Sequence, residues 1–107
     1  MIRAAFWEQT GRIRRFEIAG HAGWADAGED ILCAAVSSAV QLAANTVTDA
    51  ACLPAAVAVR ENTITVSLSD DPSGFADLIF RGLRTHLTQL AEDFPGTIQV
   101  ETREAVS

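Results

Sequence analysis

Apolar and polar positions alternate with two different periods along this chain, and each change of period marks a new element. Residues 2–9 alternate loosely, with Ile2, Ala4 and Phe6 set against Arg3, Ala5 and Trp7, and predict a strand. Gln9-Thr10-Gly11-Arg12 supplies a turn. Residues 13–19 predict a second strand, with Phe16 and Ile18 on one face and Arg15 and Glu17 on the other. So short a connection makes the two an antiparallel hairpin. The period then becomes helical. Val36, Val40, Ala43 and Val47 recur at spacings of three and four, predicting a helix from about residue 31 to 52, with Asp30 as N-cap candidate and Leu53-Pro54 as its stop. Nine alanines from Ala34 to Ala56 favour that helix and thin its surface, so that another element or subunit can approach closely.

A second hairpin follows. Residues 55–59 place Val57 and Val59 on one face, Arg60-Glu61-Asn62 turns, and residues 63–68 set Ile64, Val66 and Leu68 inward against Thr63, Thr65 and Ser67. The loop 69–74 is rich in helix-start residues, and a second helix is predicted over 73–93 with the stripe Phe75, Ile79, Leu83, Leu87, Leu90 and Phe94. Pro95-Gly96 ends it. Residues 97–102 read as a last strand with Ile98 and Val100 inward, and 103–107 as a frayed tail. The order is ββαββαβ, with one apolar stripe per helix and one apolar face per strand. The economical packing is an α+β fold, two helices on one side of a mostly antiparallel five-stranded sheet. Residues 1–107 form a single domain, with no linker and no internal repeat.

Composition narrows the partners. A net charge of −6 argues against direct nucleic-acid binding and suits a basic protein or peptide. At 49% apolar residues, the chain can bury a core without a disulfide or structural metal. The N-terminus lacks the apolar region of a signal peptide, and no apolar run is read as reaching the length of a membrane span, so a soluble cytoplasmic protein is expected. Cys33 and Cys52, near opposite ends of the predicted helix, would stand roughly 28 Å apart, too far to pair.

Candidate chemistry concentrates between Gly20 and Ser37. His21, one of two histidines, follows Gly20, and Cys33 sits near the predicted helix start. Free N–H groups and the helix dipole at such a start favour a thiolate, and a histidine folding back could take the thiol proton. Cys33 therefore reads as a nucleophile with His21 as its base, or as a small buried hydrophobe. Asp30 is an N-cap, a group orienting His21, or a contact to a substrate amide. Ser37, one turn after Cys33 on the same helical face, could bond the thiolate, the substrate or its own helix backbone. Trp24 is a substrate platform, a lid residue or a packing residue, and Gly23 and Gly28 would let the loop 22–29 move. Cys52 and His86 read as structural, His86 at the edge of the second helix's stripe. No phosphate loop or metal-spaced pair is present, and a His21/Asp30/Cys33 zinc site lacks a fourth ligand, so neither metal nor cofactor is expected.

Gly20-His21-Ala22-Gly23, Gly28, then Asp30-Ile31-Leu32-Cys33-Ala34-Ala35-Val36-Ser37 with Gln41 and Asn45, resembles the ribosomal-processing cysteine protease family Prp. The motif spans about a quarter of the chain, and Phe94-Pro95 and the element order extend it more weakly. The resemblance implies a homodimeric cysteine endopeptidase that removes the N-terminal extension of the twenty-seventh large-subunit ribosomal protein, cutting after an aromatic pair. It maps the catalytic histidine onto His21, the nucleophile onto Cys33, and the motif aspartate and serine onto Asp30 and Ser37. Trp24 stands where the family often has tyrosine. The precursor of that ribosomal protein is the implied partner. Two other readings use the same residues: a non-enzymatic acidic dimer that binds a ribosomal protein or assembly factor, and a redox sensor built on Cys33.

Overall fold

A computed structural model describes residues 1–20 and 27–105, with side chains described for 1–20 and 31–105. The element order is β1 (Ile2–Gln9), β2 (Arg12–Gly20), α1 (Ala27–Asn45) with a π-helical turn (Thr46–Ala50), β3 (Ala55–Arg60), β4 (Thr63–Leu68), α2 (Phe75–Asp93) and β5 (Ile98–Glu104). The strands form one sheet in the order β3-β4-β2-β1-β5. All neighbours are antiparallel except β1 and β5, so the predicted ββαββαβ order and mostly antiparallel five-stranded sheet are found.

Strand alternation puts Ile2, Ala4 and Phe6 of β1 on the helix-facing side, in register with Ile18 and Phe16 of β2. A bulge in the β1–β2 pairing leaves Arg14 as the extra residue, because Trp7 faces Arg15 while Glu8 faces Ile13. The bulge lets Ile13 and Phe16, three apart, both be buried. Phe6, Phe16 and Phe80 are fully buried, and Phe16 meets Phe80 edge-on at 5.1 Å between ring centroids. On the other face of the sheet, Trp7 lies under the guanidinium groups of Arg15 and Arg103, at 4.6 and 5.3 Å from its ring centroid.

α2 is anchored by side chains upstream of it. Ser73 Oγ accepts the Phe75 N–H, and buried Asp71 accepts those of Ala76 and Asp77 at 3.3 and 3.0 Å, so three first-turn donors are satisfied. Asp77 in turn accepts the Ile13 N–H at 2.7 Å and binds Arg81 Nε at 2.9 Å, while Arg12 donates to the carbonyls of Asp71 and Pro72. These bonds fasten the β1–β2 turn to the start of α2. The stripe of α2 is offset from the expected one: Ala76, Phe80, Leu83 and Leu87 are buried, Ile79 and Leu90 pack at its margin, and Phe75 and Phe94 are exposed. Both stripes satisfy the helical period, and the rotation set by the Asp71 and Asp77 anchors turns Phe80 into the sheet. His86, expected at the stripe's edge, is exposed.

α1 and its π turn bury Val36, Val40, Ala43 and Val47, as their period predicts, and Leu32 besides. Its limits differ from the expected 31–52. It begins at Ala27, so Asp30 is a helical residue and not the N-cap. At its far end the hydroxyls of Thr46 and Thr48 donate to the carbonyls of Leu42 and Ala44, and the ladder widens into the π turn. Cys52 then takes φ +53°, and Leu53 N–H closes on the Val47 carbonyl at 2.9 Å. The segment Ile31–Ala50 is, contrary to the sequence reading, long and apolar enough by length and composition to cross a membrane. Here its apolar stripe is part of the core. Strand β5 also runs further than expected, and Ala105 N–H donates to the Glu8 carbonyl at 2.7 Å where a frayed tail was predicted.

The anchors make a contrast testable by urea unfolding. Asp71→Ala leaves buried amides unpaired and is expected to cost about 1–3 kcal/mol. Arg15→Ala breaks an exposed pair with Glu17 and the stack on Trp7, and is expected to cost less than about 1 kcal/mol.

Candidate active site

Strand β2 ends at Gly20, and the chemistry of the site starts there. Gly20 has φ +94°, and a Cβ on it would lie 2.5 Å from the carbonyl oxygen of Met1. Its N–H donates to the Asn62 carbonyl at 3.2 Å. The strand can pass between the chain start and the β3–β4 turn only as glycine, which supplies a physical reason for the glycine before His21.

Beside Gly20 lies a cavity of about 460 Å³ between α1 and the β2–β4–β3 part of the sheet. Its apolar lining comes from Ile2 and Ile18 of the first hairpin, Val36 and Val40 of α1, and Val59 and Ile64 of the second hairpin. Polar groups come from Ser37 and Gln41 of α1 and from Glu61, Asn62 and Thr63 at the β3–β4 turn. Among the described residues, Cys33 supplies the single thiol in this lining, and Glu61 its single carboxylate. Cys33 is half-buried against the core, whereas Cys52 is exposed and its Sγ donates to the Asp49 carbonyl at 3.4 Å.

Among the residues singled out from sequence, the fold brings Gly20, Cys33 and Ser37 to this one cavity. His21, Gly23 and Trp24 lie outside the described residues, as do the side chain of Asp30 and most of the loop 22–29. Cys33 does not sit at the helix terminus that its place in the sequence suggests. With α1 beginning at Ala27, Cys33 is its seventh residue, and the unpaired N–H groups of the first turn belong to 27–30. The dipole effect fades within that turn, so neither it nor those amides serve Cys33 as expected. Gln41, Glu61 and Asn62 were not read as site residues. Cys33, Ser37 and Gln41 follow one another at intervals of four, a signal that could have placed Gln41 on the same face. Nothing local in the sequence could have brought in Glu61 and Asn62, which arrive through the pairing of β4 with β2.

The described residues thus bring a thiol, hydroxyls, amides and a carboxylate into one largely apolar cavity. The family model described as cysteine protease Prp matches residues 1–99. The chain belongs to the cysteine protease Prp family. Among solved structures, SMU.848 from Streptococcus mutans is 26% identical, with a TM-score of 0.85 over 98% of this chain and 96% of that one. The essential ribosomal processing protease Prp from S. aureus, in complex with a covalently linked product peptide, is 19% identical and gives a TM-score of 0.86 over 96% of this chain and all of that one. The same S. aureus protease in complex with a substrate peptide gives 18% and 0.84. No curated relative matches the chain. The Prp fold is thus kept at low identity.

Two glycines separate constraint from tolerance. Gly20→Ala forces a side chain into a left-handed conformation and onto the Met1 carbonyl, and is expected to lower stability by more than about 2 kcal/mol in urea unfolding. Gly82→Ala, inside α2 with open space around it, is expected to raise it by roughly 0.5–1 kcal/mol.

Proposed function

We propose that this Prp-family protein removes the N-terminal extension of the twenty-seventh large-subunit ribosomal protein, with Cys33 as nucleophile and His21 as general base and acid. The observation that carries the reading is the position of Cys33 on the cavity at the end of β2, the strand whose last residue immediately precedes His21. The family match over residues 1–99 and the peptide-bound S. aureus protease support it.

In this reading His21 takes the thiol proton, and the Cys33 sulfur attacks the scissile carbonyl carbon. As the C–N bond breaks, His21 returns the proton to the leaving amine. A thioester then links the extension to Cys33. Water, giving a proton to His21, attacks that thioester; the sulfur leaves as thiolate and regains its proton from His21. Ser37 and Asp30 are assigned supporting roles, and Gly20, Gly23 and Trp24 are assigned to shaping the loop and substrate contacts. The apolar lining suits large apolar side chains at the cut, and Glu61 with the net charge of −6 suits a basic protein substrate. The exposed apolar side chains Ile31 and Leu42 of α1 and Leu78 of α2 support a homodimer through the helical layer. A cytoplasmic location follows from a ribosomal substrate.

The deciding experiment incubates the protein with a peptide spanning the junction of extension and mature ribosomal protein, read by mass spectrometry. A single cut by wild type, absent with Cys33→Ala, is the expected result. A folded wild type that leaves the peptide whole would move the protein to a binding role or another substrate. Thiol labelling gives an independent test. Exposure alone favours Cys52, so faster alkylation of Cys33 would mark an activated thiolate, and faster labelling of Cys52 would count against one.

A further inference from the structure

The two edges of the sheet differ in a way that bears on the site. β5 carries Glu101, Arg103 and Glu104, charges of the kind that blunt an edge against further pairing. β3, Ala55–Arg60, has no charge before its last residue, and Val57 and Val59 are 46% and 68% exposed. It is also the edge that reaches the cavity, through Val59.

Register shows which backbone groups β3 leaves open. The Gly20 N–H meets the Asn62 carbonyl, and β2 and β4 pair without a bulge. Even-numbered residues of β4 therefore turn their N–H and C=O toward β2, and Thr63, Thr65 and Ser67 turn theirs toward β3. Their partners are Arg60, Ala58 and Ala56. The backbone groups of Val57 and Val59 consequently point out of the sheet, while their side chains share the helix-facing side with Val66 and Ile64.

We propose that the polypeptide substrate binds in extended form as a sixth strand on β3, pairing with the backbone of Val57 and Val59 and entering the cavity where Cys33 lies. The occupant is an extended polypeptide because the open edge is continuous with that cavity, and a chain paired along it arrives at the thiol with its backbone held. The inference rests on the peptidase reading given above.

Proline tests the pairing without touching the ladder. At position 57 it removes only an outward-facing N–H, a placement that edge strands tolerate, whereas Val57→Ala removes the side chain and keeps the donor. Affinity of the fluorescently labelled junction peptide is measured in the Cys33→Ala background, so that it is not consumed. Val57→Pro is expected to weaken binding roughly three- to tenfold relative to Val57→Ala, with unchanged unfolding midpoint and sedimentation mass. Equal affinities would overturn the proposal, as would a changed mass, which would make β3 an interface between copies of the chain. Ester replacement of single substrate amides decides the matter if Val57→Pro does not fold. Losses recurring at every second residue support strand pairing, and a flat profile or no binding refutes it. Failure of the peptidase reading has a different signature: a peptide that binds with this pattern and is not cut by the chain bearing Cys33.

Discussion

The edge-on contact of Phe16 with Phe80 is the point at which sheet and helices are joined. Phe16 lies on β2, which pairs with both β1 and β4, and Phe80 lies in the middle of α2. Burying two such rings removes a few hundred Å² of apolar surface from water. The contact requires the rotation of α2 that the Asp71 and Asp77 hydrogen bonds impose, and it requires the Arg14 bulge that keeps Ile13 and Phe16 on one face. Polar anchoring at the start of α2 and aromatic packing at its centre therefore support each other.

Because α2 packs directly on β1, β2 and β5, α1 is free to do something else. Its backbone approaches α2 and the π turn more closely than any strand. Its valines still reach the core, but over β4 and the end of β2 the two layers are separated by the cavity. Dense packing under one helix thus permits a cleft under the other, and Cys33 sits on the helix that stands off. Gly20 completes the arrangement, since the pinch against Met1 fixes the end of β2 at the cavity's margin.

The relatives indicate which features matter for the fold. At 26% identity to SMU.848 the same architecture spans nearly the whole chain, so many different side chains can build these layers. What the architecture does not specify is chemistry.

Much of this was legible in the sequence. Period-two alternation gave five strands, period 3.6 gave two helices, and the faces of β1, β4 and α1 were correct because each pattern allows one buried side. The spacing of Cys33 and Ser37 put both on one helical face, and both reach the cavity. Local patterns could not fix where α1 starts, since Ala27-Gly28-Glu29-Asp30 is compatible with either helix or loop, and the helix begins at Ala27. Nor could they set the rotation of α2, because Phe75 and Phe80 both fit its period until the Asp71 anchor chooses between them. The placing of Glu61 and Asn62 on the cavity that Cys33 also lines, and the outward backbone of Val57 and Val59, depend on which strands pair and in what register. The sequence by itself determined the elements and the thiol; the tertiary structure decided which residues share its cavity, because strand order brings together residues whose separation in the chain carries no periodic signal.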